Sequence, residues 1–442
     1  MGFFGPISSP LLDESSTPVL RRALHRARVV GNFAMVQAAV QVIGFLSGIL
    51  LVRWLSQPEY AYYTIANTMQ GTINLLADIG ISVGLISIGG RVWHDRHRFG
   101  QLINTALAVR RKLGGLAIVV ITPIMYWMLI RNGSTPFYAV ILVAVVVGGL
   151  IVQLSMGVLS VVPRLRSDLG RIQLIDFTGA VTRLLLICAL LLIYMSAGVA
   201  VLVATVVMLL QYLMLRSYAA GVVDLTAEEN VEDRHEIVRL TRNLAASTIF
   251  YCFQGQVTVF LISFFAQHAN AVAEVGALGR LAMIFTVISN LLANVFVPAF
   301  ARCQNRRKLG WLFAAIMGGV TLLSGMILVT AAIFPREFLF VLGNKYAHLN
   351  HELLLMVGGA VTAAIAGTLW GLNASKAWVA GSWLSIPLTV TAQLALIPFT
   401  DFSSVSGVLA FNLLSVFPSL FLNVALSYRG FRSFGVTAAE HA

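Results

Sequence analysis

Four charged side chains, Asp78, Asp176, Arg183 and Arg280, fall inside stretches that are otherwise apolar. A charge at bilayer depth costs roughly 2.5–3.5 kcal/mol on insertion scales, so such residues face protein or a wet cavity and mark a binding or ion pathway. A guanidinium keeps its charge and can grip a phosphate through two parallel hydrogen bonds. Arg280 and Arg183 are therefore candidates to hold an anionic head group. Arg280 lies near one end of its segment, where snorkelling to the interface is the competing reading. Asp78 and Asp176 are candidates for ion coupling, because a carboxylate can exchange protons or sodium. Asp176 and Arg183 are seven residues apart, two turns along one helix face, so an internal ion pair is the alternative for them.

Uncharged polar residues recur at helical spacing. One stripe is Asn67, Gly71, Asn74 and Asp78; others are Ser247, Tyr251, Gln254 and Thr258, then Asn412, Ser415, Ser419 and Asn423, then Gln37, Gln41, Gly44 and Gly48. A single stripe can be interhelical glue, with small residues permitting close approach. Four on helices that share an interior point to a hydrophilic cavity, with Asn74, Tyr251, Gln254, Asn290 and Asn294 as lining candidates. No pattern points to bond-making. There is no Walker A loop, and His348, His351 and Glu352 stand in neither metalloprotease order. Cys188, Cys252 and Cys303 suggest neither a disulfide nor a metal site. No catalytic residue, metal or cofactor is expected.

The elements that must position these residues are long apolar helices. The chain is 58% hydrophobic and 11% charged, with mean hydropathy +0.85. A soluble protein would carry about 25% charged residues, so this composition describes a polytopic membrane protein. Segments near the ~20 residues a bilayer demands run at 29–52, 62–88, 113–130, 137–162, 172–195, 197–215, 244–266, 275–300, 311–334, 353–375, 378–398 and 405–427. We number them spans 1–12. The expected fold is all-α: about 12 transmembrane helices in two pseudo-symmetric six-helix lobes around a central cavity.

The net charge of +12 would suggest nucleic acid in a soluble chain. Sorted by connection, 24 Lys and Arg fall on one side and only Arg53, Arg131, Arg336 and Lys345 on the other. The basic side includes the run Arg110, Arg111 and Lys112, read as part of the connection between spans 2 and 3. Lys and Arg collect on the cytoplasmic side of membrane proteins, so both termini are expected to be cytoplasmic, and no nucleic acid is implied. Residues 1–28 read as a flexible tail rather than a signal peptide, and Pro6 stands where a myristoylation signal wants Ser or Thr. The basic loop from Gly90 to Arg98 is similar to a loop of major facilitator transporters but lacks its second glycine.

The long polar stretch 216–243 holds a third of the 18 acidic residues. Thr226 and Glu229 have capping-box spacing, so a linker helix is expected between lobes at 29–215 and 244–427, with a tail at 428–442. Asn74-Leu75-Leu76-Ala77-Asp78 returns as Asn290-Leu291-Leu292-Ala293-Asn294, an offset of 216 that also relates Ala61 to Ala277 and Ala66 to Ala282. Such internal similarity is what a duplicated transporter would show. Six spans per repeat gives both halves the same orientation, about an axis along the membrane normal.

The segment Leu51-Val52-Arg53-Trp54-Leu55-Ser56-Gln57-Pro58-Glu59-Tyr60-Ala61-Tyr62-Tyr63, followed by Leu76-Ala77-Asp78-Ile79-Gly80-Ile81, resembles the opening of bacterial polysaccharide transporters. Those belong to the multidrug/oligosaccharidyl-lipid/polysaccharide (MOP) exporter superfamily. Two glycine positions of that pattern are filled here by Ser56 or Gln57 and by Ala61. Val275-Gly276-Ala277-Leu278-Gly279-Arg280 with Pro298, and Phe338 to Tyr346, resemble the matching segments of the second half.

The resemblance implies a flippase for a polyprenyl-diphosphate-linked oligosaccharide of the O-antigen or exopolysaccharide kind, in the bacterial inner membrane. It also implies membrane lipids, a polysaccharide polymerase and glycosyltransferases as partners, and action as a monomer. The alternative is an ion-coupled small-molecule or drug antiporter of the same superfamily, which needs a titrating carboxylate in its first lobe. A membrane-bound glycosyltransferase or polymerase would want a long extracytoplasmic loop, and the longest here, about 335–352, is too short for a catalytic domain. A peptidoglycan-precursor flippase usually has two additional spans.

Overall fold

The computed structural model describes residues 18–433 apart from 167, 192, 266–268, 293–295 and 304. Among the described residues every regular element is helical. Span 1 is α1 (Pro18–Trp54). Span 2 is α2 (Gln57–Asp78) and α3 (Ile81–Val92), bent by 45°. Spans 3 to 6 are α4 (Arg96–Arg131), α5 (Pro136–Leu159) with its short continuation α6 (Val161–Leu165), α7 (Leu169–Leu191) and α8 (Ala197–Val222). Span 7 is α9 (Val231–Phe265). Span 8 is divided into α10 (Ala269–Ala282), α11 (Ile284–Leu291) and α12 (Val297–Arg302). Then come α13 (Arg306–Ile333), α14 (Pro335–Leu342), α15 (Asn350–Ser375), α16 (Ser385–Leu396) and α17 (Val405–Ser433). Ten of these segments are long and apolar enough to cross a membrane alone, and the α2–α3 pair makes an eleventh. The chain is a multi-pass membrane protein.

Local chemistry sets the helix starts. Side-chain oxygens of Ser56, Asp95, Thr135, Ser196 and Asn305 accept hydrogen bonds from first-turn amides of α2, α4, α5, α8 and α13, satisfying donors that have no partner inside the helix. Gly80 makes the bend in span 2. Its φ of +71° is a left-handed conformation that favours glycine, and a Cβ there would lie 3.2 Å from the Thr241 backbone.

The linker differs from expectation. The Thr226–Glu229 capping box does not form; Asn230 Oδ1 accepts the amides of Glu232 and Asp233 instead. The helix it starts runs unbroken from 231 to 265, so the linker helix is the first part of span 7. Thr226 turns back to Asp224, whose carboxyl is held at about 2 by the Thr226 hydroxyl, His97 and the Thr226 amide. Arg91 pairs with Glu236 and Arg98 with Asp233, fastening this segment to the first lobe.

The apolar core shows how the lobes meet. One continuous cluster joins them at the end carrying residues 51–73, 262–281, 339–357 and 405–409. At the basic end the core splits. One cluster belongs to the first lobe and the base of α9 (Leu85, Phe99, Val158, Ile237) and the other to the second lobe (Phe300, Leu309, Leu372, with Phe431). The lobes therefore share one core at one end and hold separate cores at the basic end. The joined end is also clasped by polar groups. Arg53 donates to the carbonyls of Val341 and Phe340, and Lys345 donates to the carbonyls of Arg53 and Leu55. Arg131 lies over Trp127 and, across the lobe boundary, Phe264. Three of the four cations on the sparsely charged side thus bridge the lobes.

Candidate functional site

Arg280 comes from α10 in the second lobe and Arg183 from α7 in the first, and both reach one pair of tyrosines on α2. Arg183 Nη2 donates to the Tyr63 hydroxyl at 3.0 Å. Arg280 Nε donates to the Tyr60 hydroxyl at 3.2 Å, and its guanidinium carbon lies 5.7 Å from the centre of the Tyr63 ring. The Tyr60 hydroxyl in turn donates to the Gly276 carbonyl at 3.3 Å. Tyr60 and Tyr63 are buried within the joined core, three residues apart on one face of α2. Arg280 is laid flat against α1: a Cβ on Gly48 would sit 3.3 Å from its Cδ and 3.5 Å from Nε and Nη1.

Among the described residues, neither Arg183 nor Arg280 forms a carboxylate ion pair; the pairs found are Arg91–Glu236, His97–Asp224, Arg98–Asp233, Arg110–Asp78 and His348–Glu274. The ion pair of Arg183 with Asp176, the alternative reading of their spacing, does not form. Arg183 turns towards Tyr63. A guanidinium offers five N–H donors, and phenol acceptors engage only some of them without cancelling the charge. Arg183 Nε is buried with no hydrogen-bond partner.

The repeat offset of 216 is visible in this crossing. It relates Tyr60 to Gly276 and Thr64 to Arg280. The Tyr60–Arg280 contact therefore has Gly276–Thr64 as its counterpart, and a Cβ on Gly276 would overlap the Thr64 hydroxyl. A bulky tyrosine and arginine on one side of the crossing are balanced by a glycine and a threonine on the other. That difference lets the helices approach while leaving one side charged.

The remaining candidates lie elsewhere. Asp78 is ion-paired to Arg110 at 2.9 Å and accepts from Ser82 at 2.8 Å; Arg110 also donates to Asn74 at 3.1 Å. Arg110 is not a loop residue as expected from its basic neighbours. It sits within α4 and is 3% exposed, whereas Arg111 and Lys112 are exposed. Asn74 and Asp78 thus form a half-buried cluster around Arg110 within the first lobe, away from the two paired arginine–tyrosine contacts. Tyr251 shares a 2.7 Å hydrogen bond with Ser385, and Gln254 accepts from Gln393 at 2.9 Å, so both tie α9 to α16. The basic end of the span 12 stripe is helix glue: Asn373 donates to the Asn423 carbonyl, and Ser427 donates to Asn373. The side chain of Asn290 and the whole of Asn294 lie outside the described residues.

Sequence reasoning missed Tyr60, Tyr63 and Arg110. A usable signal was present for the first two, tyrosines at i and i+3 on one face of the start of span 2. Arg110 was hidden by the basic residues that follow it.

Two apolar crevices open at the lobe boundary. One, of about 500 Å³, lies between α1 and the second lobe, lined mainly by apolar residues such as Val42, Phe45, Leu281, Met283 and Phe285, with Gln41 and Glu337 as its polar members. Arg280 Nη1 lies 3.7 Å from Met283 Sδ, so the charged site and this crevice are neighbours. The other, of about 570 Å³, lies between α4 and α9 around Trp127 and Phe264.

Solved structures share this fold. An inward-facing multidrug resistance MATE transporter aligns with TM-score 0.61 at 14% identity, covering 91% of this chain and 99% of that one. The lipid II flippase MurJ in an inward-closed conformation aligns with TM-score 0.66 at 8% identity, covering 91% and 90%. A MOP transporter from Pyrococcus furiosus, described as having a binding pocket of reversed polarity, aligns with TM-score 0.56 at 14% identity, covering 91% and 94%. No curated protein matches. Residues 50–351 match the family described as polysaccharide biosynthesis protein, and the chain belongs to that family. MOP-superfamily transporters thus share its fold.

Proposed function

We propose that the chain is a flippase for a polyprenyl-diphosphate-linked oligosaccharide, an O-antigen or exopolysaccharide repeat unit, working by alternating access in the bacterial inner membrane. The observation that carries this reading is the meeting of Arg183 and Arg280, one from each lobe, without a carboxylate and beside an apolar crevice. A diphosphate carries negative charge that must be neutralised at low dielectric, and fixed guanidiniums do so without titrating. Its sugars would occupy the cleft between the lobes, while the polyprenyl tail leaves through the crevice into lipid. The 24-to-4 charge split supports a cytoplasmic mouth, with both termini on that side. Loading would then occur from the cytoplasm and release after the joined end opens.

An antiporter reading needs a free carboxylate in the first lobe. Asp78 is committed to Arg110, so that reading would rest on Asp176, which forms no ion pair among the described residues.

The test is a deletion strain. Lipid-linked oligosaccharide should accumulate on the cytoplasmic leaflet, and wild type but not Arg280→Ala should clear it. Full clearance by Arg280→Ala at normal protein levels would reduce Arg280 to an interfacial anchor.

A further inference from the structure

We propose that the anion site is composite and conformation-dependent: Tyr63 positions guanidiniums from opposite lobes, and the Arg53–Lys345 clasp is energetically coupled to it. This rests on the reading of Arg280 and Arg183 as anion ligands. Arg183 and Tyr63 belong to the first lobe and Arg280 to the second. The lobe boundary therefore runs through the site itself. Arg183 and Tyr63 both belong to the first lobe, so their hydrogen bond does not itself require the approach of the second. Arg280 keeps its Tyr60 hydrogen bond and its place over the Tyr63 ring only while α10 lies against α2.

The same approach of the lobes brings Arg53 to the Phe340 and Val341 carbonyls and Lys345 to the Arg53 and Leu55 carbonyls. The clasp and the site thus form and break together. Separating the lobes at this end withdraws one of the two cations from a bound phosphate. Opening therefore weakens binding at the moment of release, and an anion held between the lobes must in turn favour the clasped state. Linkage makes the two effects equal. The role of Tyr63 is positional: its hydroxyl accepts from Arg183 and its ring face lies beneath Arg280, holding two like charges at one place without neutralising either.

Inorganic pyrophosphate is the probe, titrated calorimetrically into the full-length purified protein. Wild type should bind, and Arg280→Ala should lose binding. Tyr63→Phe keeps the ring and loses the hydroxyl, and should weaken binding about three- to tenfold, the effect of one hydrogen bond of ordinary net strength. The double variant Arg53→Ala/Lys345→Ala alters no residue that touches the two arginines and should still weaken binding about fivefold or more. Spin labels at Ser56 and Asn344 should move closer, or narrow in distance distribution, on adding pyrophosphate. If wild type does not bind, or Arg280→Ala binds as wild type, the anion reading itself is overturned. If Arg280→Ala loses binding while the clasp variant binds as wild type and the labels do not respond, the anion reading stands and the coupling is overturned. Wild-type affinity in a folded Tyr63→Phe protein removes Tyr63 as the positioning residue.

Discussion

Asp78 gives the sharpest test of whether a buried charge is structural or mechanistic. Its carboxylate lies 2.9 Å from Arg110, whose side chain is 4% exposed, while Asp78 itself is about one-third exposed (31%). Removing one member of a buried pair typically costs about 3–5 kcal/mol, because the other charge is left without compensation. The partial exposure of Asp78 places Asp78→Leu near the lower end, about 3 kcal/mol. Asp78→Asn leaves Arg110 a carbonyl acceptor and keeps Asn74 in place, so the loss is about 1–2 kcal/mol. In Asp78→Leu/Arg110→Met neither charge remains, and most of the lost stability should return.

The assay is the thermal unfolding midpoint of purified protein, read beside transport in the deletion strain. The structural reading requires the order wild type, then the double variant and Asp78→Asn, then Asp78→Leu, with transport following folded protein. An Asp78→Asn protein of unchanged stability that transports nothing would refute it and make Asp78 the coupling carboxylate. Additive losses in the double variant would refute the pair.

Arg280→Lys should retain part of the activity, since an ammonium still attracts phosphate but cannot bind it through a fork; Arg280→Ala should fall ten- to a hundredfold, on the order expected for a charge-assisted bond. Arg183→Ala should lower anion binding too, and equal activity with wild type would confine the site to the second lobe. Gly48→Val should displace Arg280 and mimic its loss, whereas Gly44→Val, where a Cβ has nothing within 4 Å, should be tolerated. Reporter fusions after residues 234 and 308 should report cytoplasm and those after 270 and 345 the opposite side; reversal at any of them breaks the proposed orientation.

The apolar segments and the sorting of cations were legible in the chain alone, because the bilayer imposes one length and one composition on every span wherever it packs. The offset of 216 was legible for the same reason: a duplication leaves its mark in one dimension, and it matches the Tyr60–Arg280 and Thr64–Gly276 contacts. Partners were not legible. Arg110 shared the appearance of Arg111 and Lys112, and only the crossing of α4 against α2 sent one inward to Asp78 and the others to the surface. Arg183 stood two turns from an aspartate on its own helix, yet it bonds a tyrosine 120 residues away. Helical periodicity states which residues share a face; it does not state what that face meets. The pairing of Arg183 with Arg280 across the lobe boundary, and the clasp that accompanies it, exist only through the approach of α2 and α10, which the joined core enforces and no local pattern encodes.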